Sequence, residues 1–417
     1  MSEKIVIIGS GPAGLAAAVS LRRHGIAPVI VERLGRPAMK LLASGGGRCN
    51  FSNALGPEDF MRRFGRNGAF MRDALRAYPR EKLLELLRAE HVRTELADGF
   101  HYFPASGKAS DVADAFLRAS GAEVRTDSEA VTLETADGAV TGIVLGNREK
   151  LPADAVILAA GGCAWAGLGT DAGLKLAEQV GHTVVKPLPA VAPLTVREDW
   201  VGKLAGLTLP DAELSLRSGR ETLVTQGSLL FTHNGFSGFP ALDLAGEASA
   251  LCDRNGTAEL HLRSRTDMDA AAWEKVFGDA RRESGSKLVR TVLHGHLPRS
   301  LAETAAELCN CFETKAANLS AEAKRELVRF LTACPLTLTG AGPMDRAMAM
   351  RGGISLKEVD PAALSSRKVR GLYFAGEILD LAGPCGGYNM QWAFSSGFFA
   401  GENAARSLKS KAGKGTK

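Results

Sequence analysis

Apolar positions near the start of the chain run together instead of alternating. Ile5–Ile8 is a short, β-branched block, the pattern of a strand covered on both faces. An alanine- and leucine-rich stretch then predicts a helix from about Pro12 to His24, followed by a second apolar run at Pro28–Val31. Helical spacing is expected over Asp59–Ala77 and Arg80–Glu90. Strands are expected at Glu123–Arg125, Ala130–Glu134 and Val140–Leu145, with Asp137-Gly138 as a hairpin turn, and a further buried strand at Ala155–Ala160. Near residue 191 the texture changes. Ala212–Leu216, Glu221–Val224, Leu229–Thr232 and Ala258–Leu262 predict short strands of a barrel or sandwich. Trp273, Val276, Phe277, Leu288, Val289, Val292, Leu327, Phe330 and Leu331 give helical spacing within 267–333, before Leu336–Thr339 returns to strand. After about 355 the first pattern resumes and ends in a small-residue helix over Gln391–Ala405.

The glycines between these runs carry chemistry. Gly9, Gly11 and Gly14 have G-x-G-x-x-G spacing between a strand and a helix that opens on Pro12 and Ala13. Such a turn is tight, lets backbone approach a pyrophosphate, and aims a helix N-terminus at its charge. Glu32 ends the second strand, where a carboxylate holds a ribose hydroxyl and repels a 2′-phosphate; Arg33 follows it. A dinucleotide is therefore expected at the first loop. The fold class is α/β, a Rossmann-like domain interrupted by a β-rich insert that itself carries a helical subdomain. The expected boundaries are 1–190 with 346–409 for the nucleotide domain, 191–266 with 334–345 for the β-rich cap, 267–333 for the helical part, and 410–417 for a disordered basic tail.

Further glycine-rich segments extend the site. Lys40 and Arg48 flank Ser44, Gly45, Gly46 and Gly47, with Asn50 just beyond, a loop suited to a phosphate or a polar ring edge. Ala160-Gly161 closes a buried strand, and Val131 lies on a neighbouring one. Gly376-Glu377 ends another strand, the acid placed for a ribityl hydroxyl. Gly387, Tyr388, Asn389, Met390 and Gln391 open the last helix, whose dipole would favour negative charge on a cofactor edge. No second fingerprint of this kind appears, so a nicotinamide donor, NADH or NADPH, would dock only transiently. The expected metal content is none.

Composition narrows this little. The chain has 417 residues, 45% hydrophobic and 23% charged, with net charge +5, which is ordinary for a globular protein. Apolar runs are strand-length, and a strand beginning at residue 4 leaves no room for a signal peptide, so a cytoplasmic protein without membrane contact is expected. Seven scattered cysteines suit a reducing compartment; Cys309 and Cys311 fall in a helical pattern and read as packing. The oligomeric state is unknown from sequence.

The segments 40–50, Leu230–Gly238 and 372–392 together resemble the BaiN/RdsA-type flavoproteins, also called aminoacetone-oxidase-like FAD enzymes, and the resemblance extends to about residue 405. It implies FAD, a Rossmann-like domain, and an insert built of a β-barrel and a helical part. It also implies reduction of a conjugated C=C bond, in a bile-acid enone or in a uracil of large-subunit ribosomal RNA. This chain departs from the family pattern at Cys163–Asp171, at His101 and Tyr102 before Phe103-Pro104, and at Cys385. Candidate proton donors are His233 and Cys49, with Tyr388 read as a cofactor contact. Three classes stay open: an FAD enzyme acting on a small molecule; an RNA-modifying flavoenzyme that would set Arg281, Arg282, Lys287, Arg290 and Arg299 against phosphates; and a non-catalytic flavin-binding sensor.

Overall fold

The computed structural model describes residues 4–412. The chain divides into two compact units, Met1–Pro189 with Met344–Lys417, and Ala190–Pro343.

The first unit is built on a seven-stranded sheet. From one edge inward, strands Glu123–Arg125, Val29–Val31, Ile5–Ile8, Ala155–Leu158 and Leu372–Phe374 lie side by side and parallel. Ile5, Ile7, Ile30, Val156, Ile157 and Leu158 are buried, which is why these runs are continuous rather than alternating. Helix Pro12–Arg23 packs against the long final helix Tyr388–Ala412 through small residues: a Cβ on Gly401 would lie 2.6 Å from the Ala17 carbonyl. That helix starts three residues before the expected Gln391 and extends to Ala412, past the expected start of the tail at 410; 413–417 lie outside the described residues. Ser52–Asn53, His101–Pro104 and Thr94–Ala97 form a small sheet, and Ala130–Ala136, Ala139–Leu145 and Lys150–Pro152 another. In the latter, Asp137 and Gly138 both take positive φ, the hairpin turn their sequence announces. The helix expected over Asp59–Ala77 instead breaks into Pro57–Arg62 and Arg72–Ala77 around a tight turn, Gly65–Met71, where Gly68 packs directly on the Met61 backbone.

The second unit contains a closed, six-stranded antiparallel barrel: Leu194–Val196, Gly235–Gly238, Glu221–Thr232, Thr208–Ser218, Ala258–Arg263 and Cys334–Ala341. Glu221–Val224 and Leu229–Thr232 belong to one strand, Glu221–Thr232, in which Gly227 takes a φ of 146 that favours glycine, opposite a bulge between Leu209 and Ala212. Helix Phe239–Asn255 packs on the barrel strands. Sequence periodicity had not suggested it, although Pro240 at its first turn and Ala241, Leu244, Ala245, Ala248 and Leu251 on its buried face are the signal. Four helices follow, Ala270–Glu283, Val289–His294, Arg299–Leu308 and Ala321–Ala333; Asp269 and Ser320 cap the first and last through their side chains. Trp273, Leu293, Leu301 and Leu327 are fully buried among them. Cys309 ends helix Arg299–Leu308 and Cys311 lies past a left-handed Asn310, so the pair sits at a helix terminus, not inside a helix.

One polar cluster ties the end of the first unit's sheet. Glu358 accepts from the Thr183 amide at 2.8 Å and hydroxyl at 2.9 Å, and pairs with Lys368 at 2.7 Å. Burial pushes this carboxyl up, but Lys368 and Thr183 outweigh it and hold it down at about 2 against an ordinary 4.5. A depressed folded-state value means stability that is complete above about 4.5 and lost as pH falls through about 2. Glu358→Gln should lower unfolding free energy by about 1–2 kcal/mol at neutral pH, allowing for solvent screening. In denaturant titrations at stepped pH, that difference should close across the same acid window. A difference independent of pH would rule out the ionic account.

Candidate functional site

The nucleotide loop follows the first strand. The Gly9 amide donates to the Val31 carbonyl at 2.8 Å, drawing the ends of two parallel strands together. A Cβ on Gly9 would lie 2.6 Å from the Ala159 carbonyl, and Gly14 packs on Gly9 itself. Those two glycines are required by the protein. Gly11 is not: its φ of −67° suits any residue, and no protein atom lies within 4 Å of a Cβ built there. The open space faces the start of helix Pro12–Arg23, where free amides gather.

Glu32 is fixed before any ligand arrives. One carboxylate oxygen accepts from the Ser10 amide at 2.9 Å and hydroxyl at 2.6 Å, the other from the Leu34 amide at 2.8 Å. Ser10 occupies a position that the G-x-G-x-x-G spacing leaves open, and its role follows from its contact with Glu32. Beside it, Arg33 donates from Nη2 to the Gly169 carbonyl at 3.4 Å, while its Nε is buried with no partner. An orphaned buried donor next to the Glu32 carboxylate suits a further acceptor there.

Ala160, Gly161, Gly376 and Glu377 also gather at the strand ends. Glu377 does not project freely. It accepts from Lys40 at 2.8 Å, from the Gly162 amide at 3.2 Å and from the Met350 amide at 2.9 Å, while Lys40 also reaches the Gly162 carbonyl at 3.0 Å. Lys40 and Glu377 therefore hold together the backbone at Gly162 and Met350. Gly376 is required because a Cβ there would lie 2.9 Å from that of Ala13. Arg48 is exposed and stacks on Phe103 at 4.9 Å. Between them Ser44–Gly47 turns through left-handed Gly45, Gly46 and Gly47, with Gly45 and Gly46 exposed.

The start of the last helix meets this loop. With its amide oriented as its neighbours require, Asn50 donates to the Ser52 carbonyl at 2.8 Å and accepts from the Gly387 amide at 3.2 Å. Asn53 donates to the Gly386 carbonyl at 2.9 Å. The side chains that follow are engaged by the protein. Tyr388 is buried against Phe60, Phe64 and Phe100, with Arg63 over its ring. Asn389 bonds back to Gly383 and Pro384. Gln391 is buried and donates to Ser395. Met390 is half-buried. What this segment offers a ligand is its backbone amides and helix dipole. Val131 lies at a bulge of the second small sheet, its carbonyl taking the Gln179 amide at 3.0 Å.

The catalytic candidates separate. Cys49 is fully covered by protein, and burial pushes its thiol up to about 12, so no substrate can touch it. His233 belongs to the barrel unit, in the turn between Glu221–Thr232 and Gly235–Gly238; it is exposed, and among the described residues nothing hydrogen-bonds its ring. Among the described residues no three His, Cys, Asp or Glu side chains converge on a metal position, and no helix is long and apolar enough to cross a membrane.

Residues 3–403 match the family described as HI0933-like protein Rossmann domain. The chain belongs to that family. It is 31% identical over 412 residues to the 3-dehydro-bile acid delta(4,6)-reductase of Clostridium scindens, covering 97% of this chain and 99% of that one. It is 29% identical over 403 residues to the ribosomal RNA dihydrouridine synthase of Haemophilus influenzae, covering 94% and 96%. The 3-ketosteroid-delta4-(5alpha)-dehydrogenase of Rhodococcus jostii RHA1, solved with 4-androstene-3,17-dione, shares the fold at a TM-score of 0.52, with 15% identity and 96% of both chains covered. The protein is an FAD-dependent oxidoreductase with a Rossmann-type nucleotide fold and a closed six-stranded barrel insert. The open space at Gly11 and the unpaired Nε of Arg33 fit FAD, one at its pyrophosphate and one at its adenosine end.

Proposed function

We propose that the protein reduces a conjugated C=C bond in a small-molecule enone, with NADH or NADPH as transient donor. The observation that carries this reading is the 31% identity, spread over essentially both whole chains, to a reductase of a bile-acid dienone. When bound, FAD supplies the capacity to take up and hand on a hydride. The chain does the positioning. Gly11 and the start of helix Pro12–Arg23 would hold the pyrophosphate, Glu32 the ribose, and the amides after Gly387 would favour negative charge on the bound cofactor. The barrel's strands pair antiparallel throughout, and this lack of a second parallel nucleotide sheet supports a donor that docks only in passing. The seven cysteines are all free, in keeping with a cytoplasmic enzyme.

A ribosomal RNA substrate is the second reading, favoured by the relatives that carry that activity in their names. The charge of the helical segment weighs against it. Residues 267–333 hold ten acidic and ten basic side chains. Of the arginines that might face phosphates, Arg282 pairs with Asp279, Arg290 with Glu313 and Arg299 with Glu303. A surface that neutralises itself releases few counterions on binding RNA.

The test is product analysis by mass spectrometry after anaerobic incubation with NADH or NADPH and a steroid 4,6-dienone. The expected product is two mass units heavier than the dienone. Absence of that product, together with one ribosomal uridine that lacks two hydrogens when the gene is deleted, would replace the first reading with the second.

A further inference from the structure

His101 opens the strand His101–Pro104 and pairs with Asn53 across the small sheet of the first unit. Its Nδ1 lies 2.8 Å and 3.1 Å from the two carboxylate oxygens of Asp98. Asp98 is itself anchored, accepting from the amides of Phe100 and His101 at 3.1 Å each. The bond from His101 is the main reason that carboxyl lies below its ordinary value. A carboxylate only accepts, so Nδ1 carries a hydrogen and Nε2 is the nitrogen that gains and loses a proton. Nε2 faces the Gly386–Gly387 turn: a Cβ built on Gly386 would lie 3.3 Å from it. The ring plane is set by Phe100, edge-on at 4.9 Å. The turn's Gly386 carbonyl is taken by Asn53 and its Gly387 amide by Asn50, which leaves Nε2 as the side-chain nitrogen on the turn with no partner among the described residues.

We infer that His101 is the acid of the reaction, giving up its proton from Nε2 beside the Gly386–Gly387 turn, with Asp98 as its positioning residue. The inference rests on the reading of the enzyme as a C=C reductase. Such a reduction removes one π bond and forms two C–H bonds. The electron pair and one hydrogen arrive as hydride that originates in the dihydronicotinamide; the second hydrogen is a proton. Imidazolium supplies it, is left as neutral imidazole, and is recharged by water. His101 combines a fixed tautomer, a free nitrogen and half-exposure, which neither exposed His233 nor covered Cys49 does. Around it, the Asp98 carboxylate touches the ring, Arg48 stacks on Phe103, Arg80 on Tyr102 and Arg63 on Tyr388.

The experiment uses the FAD-loaded wild type, His101→Gln and Asp98→Asn. The primary readout is the absorbance of bound flavin against pH, which needs no turnover. The wild type should show a one-proton spectral titration. His101→Gln should abolish it with FAD content and thermal midpoint retained, and Asp98→Asn should move it to lower pH. The second readout is transient kinetics with the dienone: His101→Gln should slow acceptor reduction by about 10²–10⁴-fold while sparing the step that consumes nicotinamide, and free imidazole should restore part of the rate in His101→Ala. A wild-type titration persisting in His101→Gln, or none in the wild type, overturns the inference even if the dienone is reduced. Its loss in His101→Gln supports the inference even if another acceptor proves to be the substrate.

Discussion

Gly11→Val should give a folded, colourless protein. The position tolerates a side chain sterically and conformationally: its backbone is extended, and no protein atom lies within 4 Å of the added Cβ. The isopropyl group would instead fill the space where the pyrophosphate approaches the helix start. The unfolding free energy of the apo protein should stay within about 0.5 kcal/mol of the apo wild type. FAD released on denaturation should fall to background, and the added stability that the wild type draws from excess FAD should vanish with it, since only binding to the native state supplies that term. Full FAD occupancy in this variant would mean that the cofactor's phosphates lie elsewhere.

How far such a site can be read from the chain depends on whether a residue acts through its type or through its neighbours. Gly9, Gly11 and Gly14 act through spacing along one strand and one helix, so the loop is legible at once. The parallel strands are legible because their burial on both faces leaves continuous apolar runs. Lys40 and Glu377 were placed in the site for their charges, but sequence cannot show that they neutralise each other across 337 positions of chain. Tyr388 and Gln391 follow a cofactor-like double glycine, yet a helix turns its first side chains to different sides, and these two fall toward the core. His101 was visible only as a departure from the family pattern; its meaning needs Asp98 and the Gly386–Gly387 turn brought to it by the small sheet. The barrel strands blurred for a related reason. Gly227 looks like punctuation between two short strands, but pairing with Thr208–Ser218 resumes on both sides of a bulge between Leu209 and Ala212 and carries the strand through it.

Gly387→Val is the counterpart of the substitution at Gly11, and it should fail in a different way. Gly387 has a φ of 81°, which β-branched side chains strongly resist. A Cβ there would lie 2.5 Å from the Ser52 carbonyl and 2.8 Å from the Asn50 side-chain amide. Ser52 cannot retreat, because it is paired with Tyr102 in the small sheet, and Asn50 is held by the Ser52 carbonyl. Backbone strain of about 1–3 kcal/mol and overpacking of about 1–3 kcal/mol act together, so the apo protein should lose about 2–6 kcal/mol. Chemical denaturation of the apo proteins measures this directly, and Gly11→Val is the reference that should show no such loss. FAD should also be lost, because the strain pulls the start of helix Tyr388–Ala412 away from Asn50 and withdraws its amides from the cofactor edge. Gly387→Ala keeps the clash but relaxes the χ1 restriction, so its stability should fall between the two. An apo Gly387→Val protein as stable as the wild type would show that the turn does not hold this geometry, and would remove the wall against which both the cofactor edge and His101 are placed.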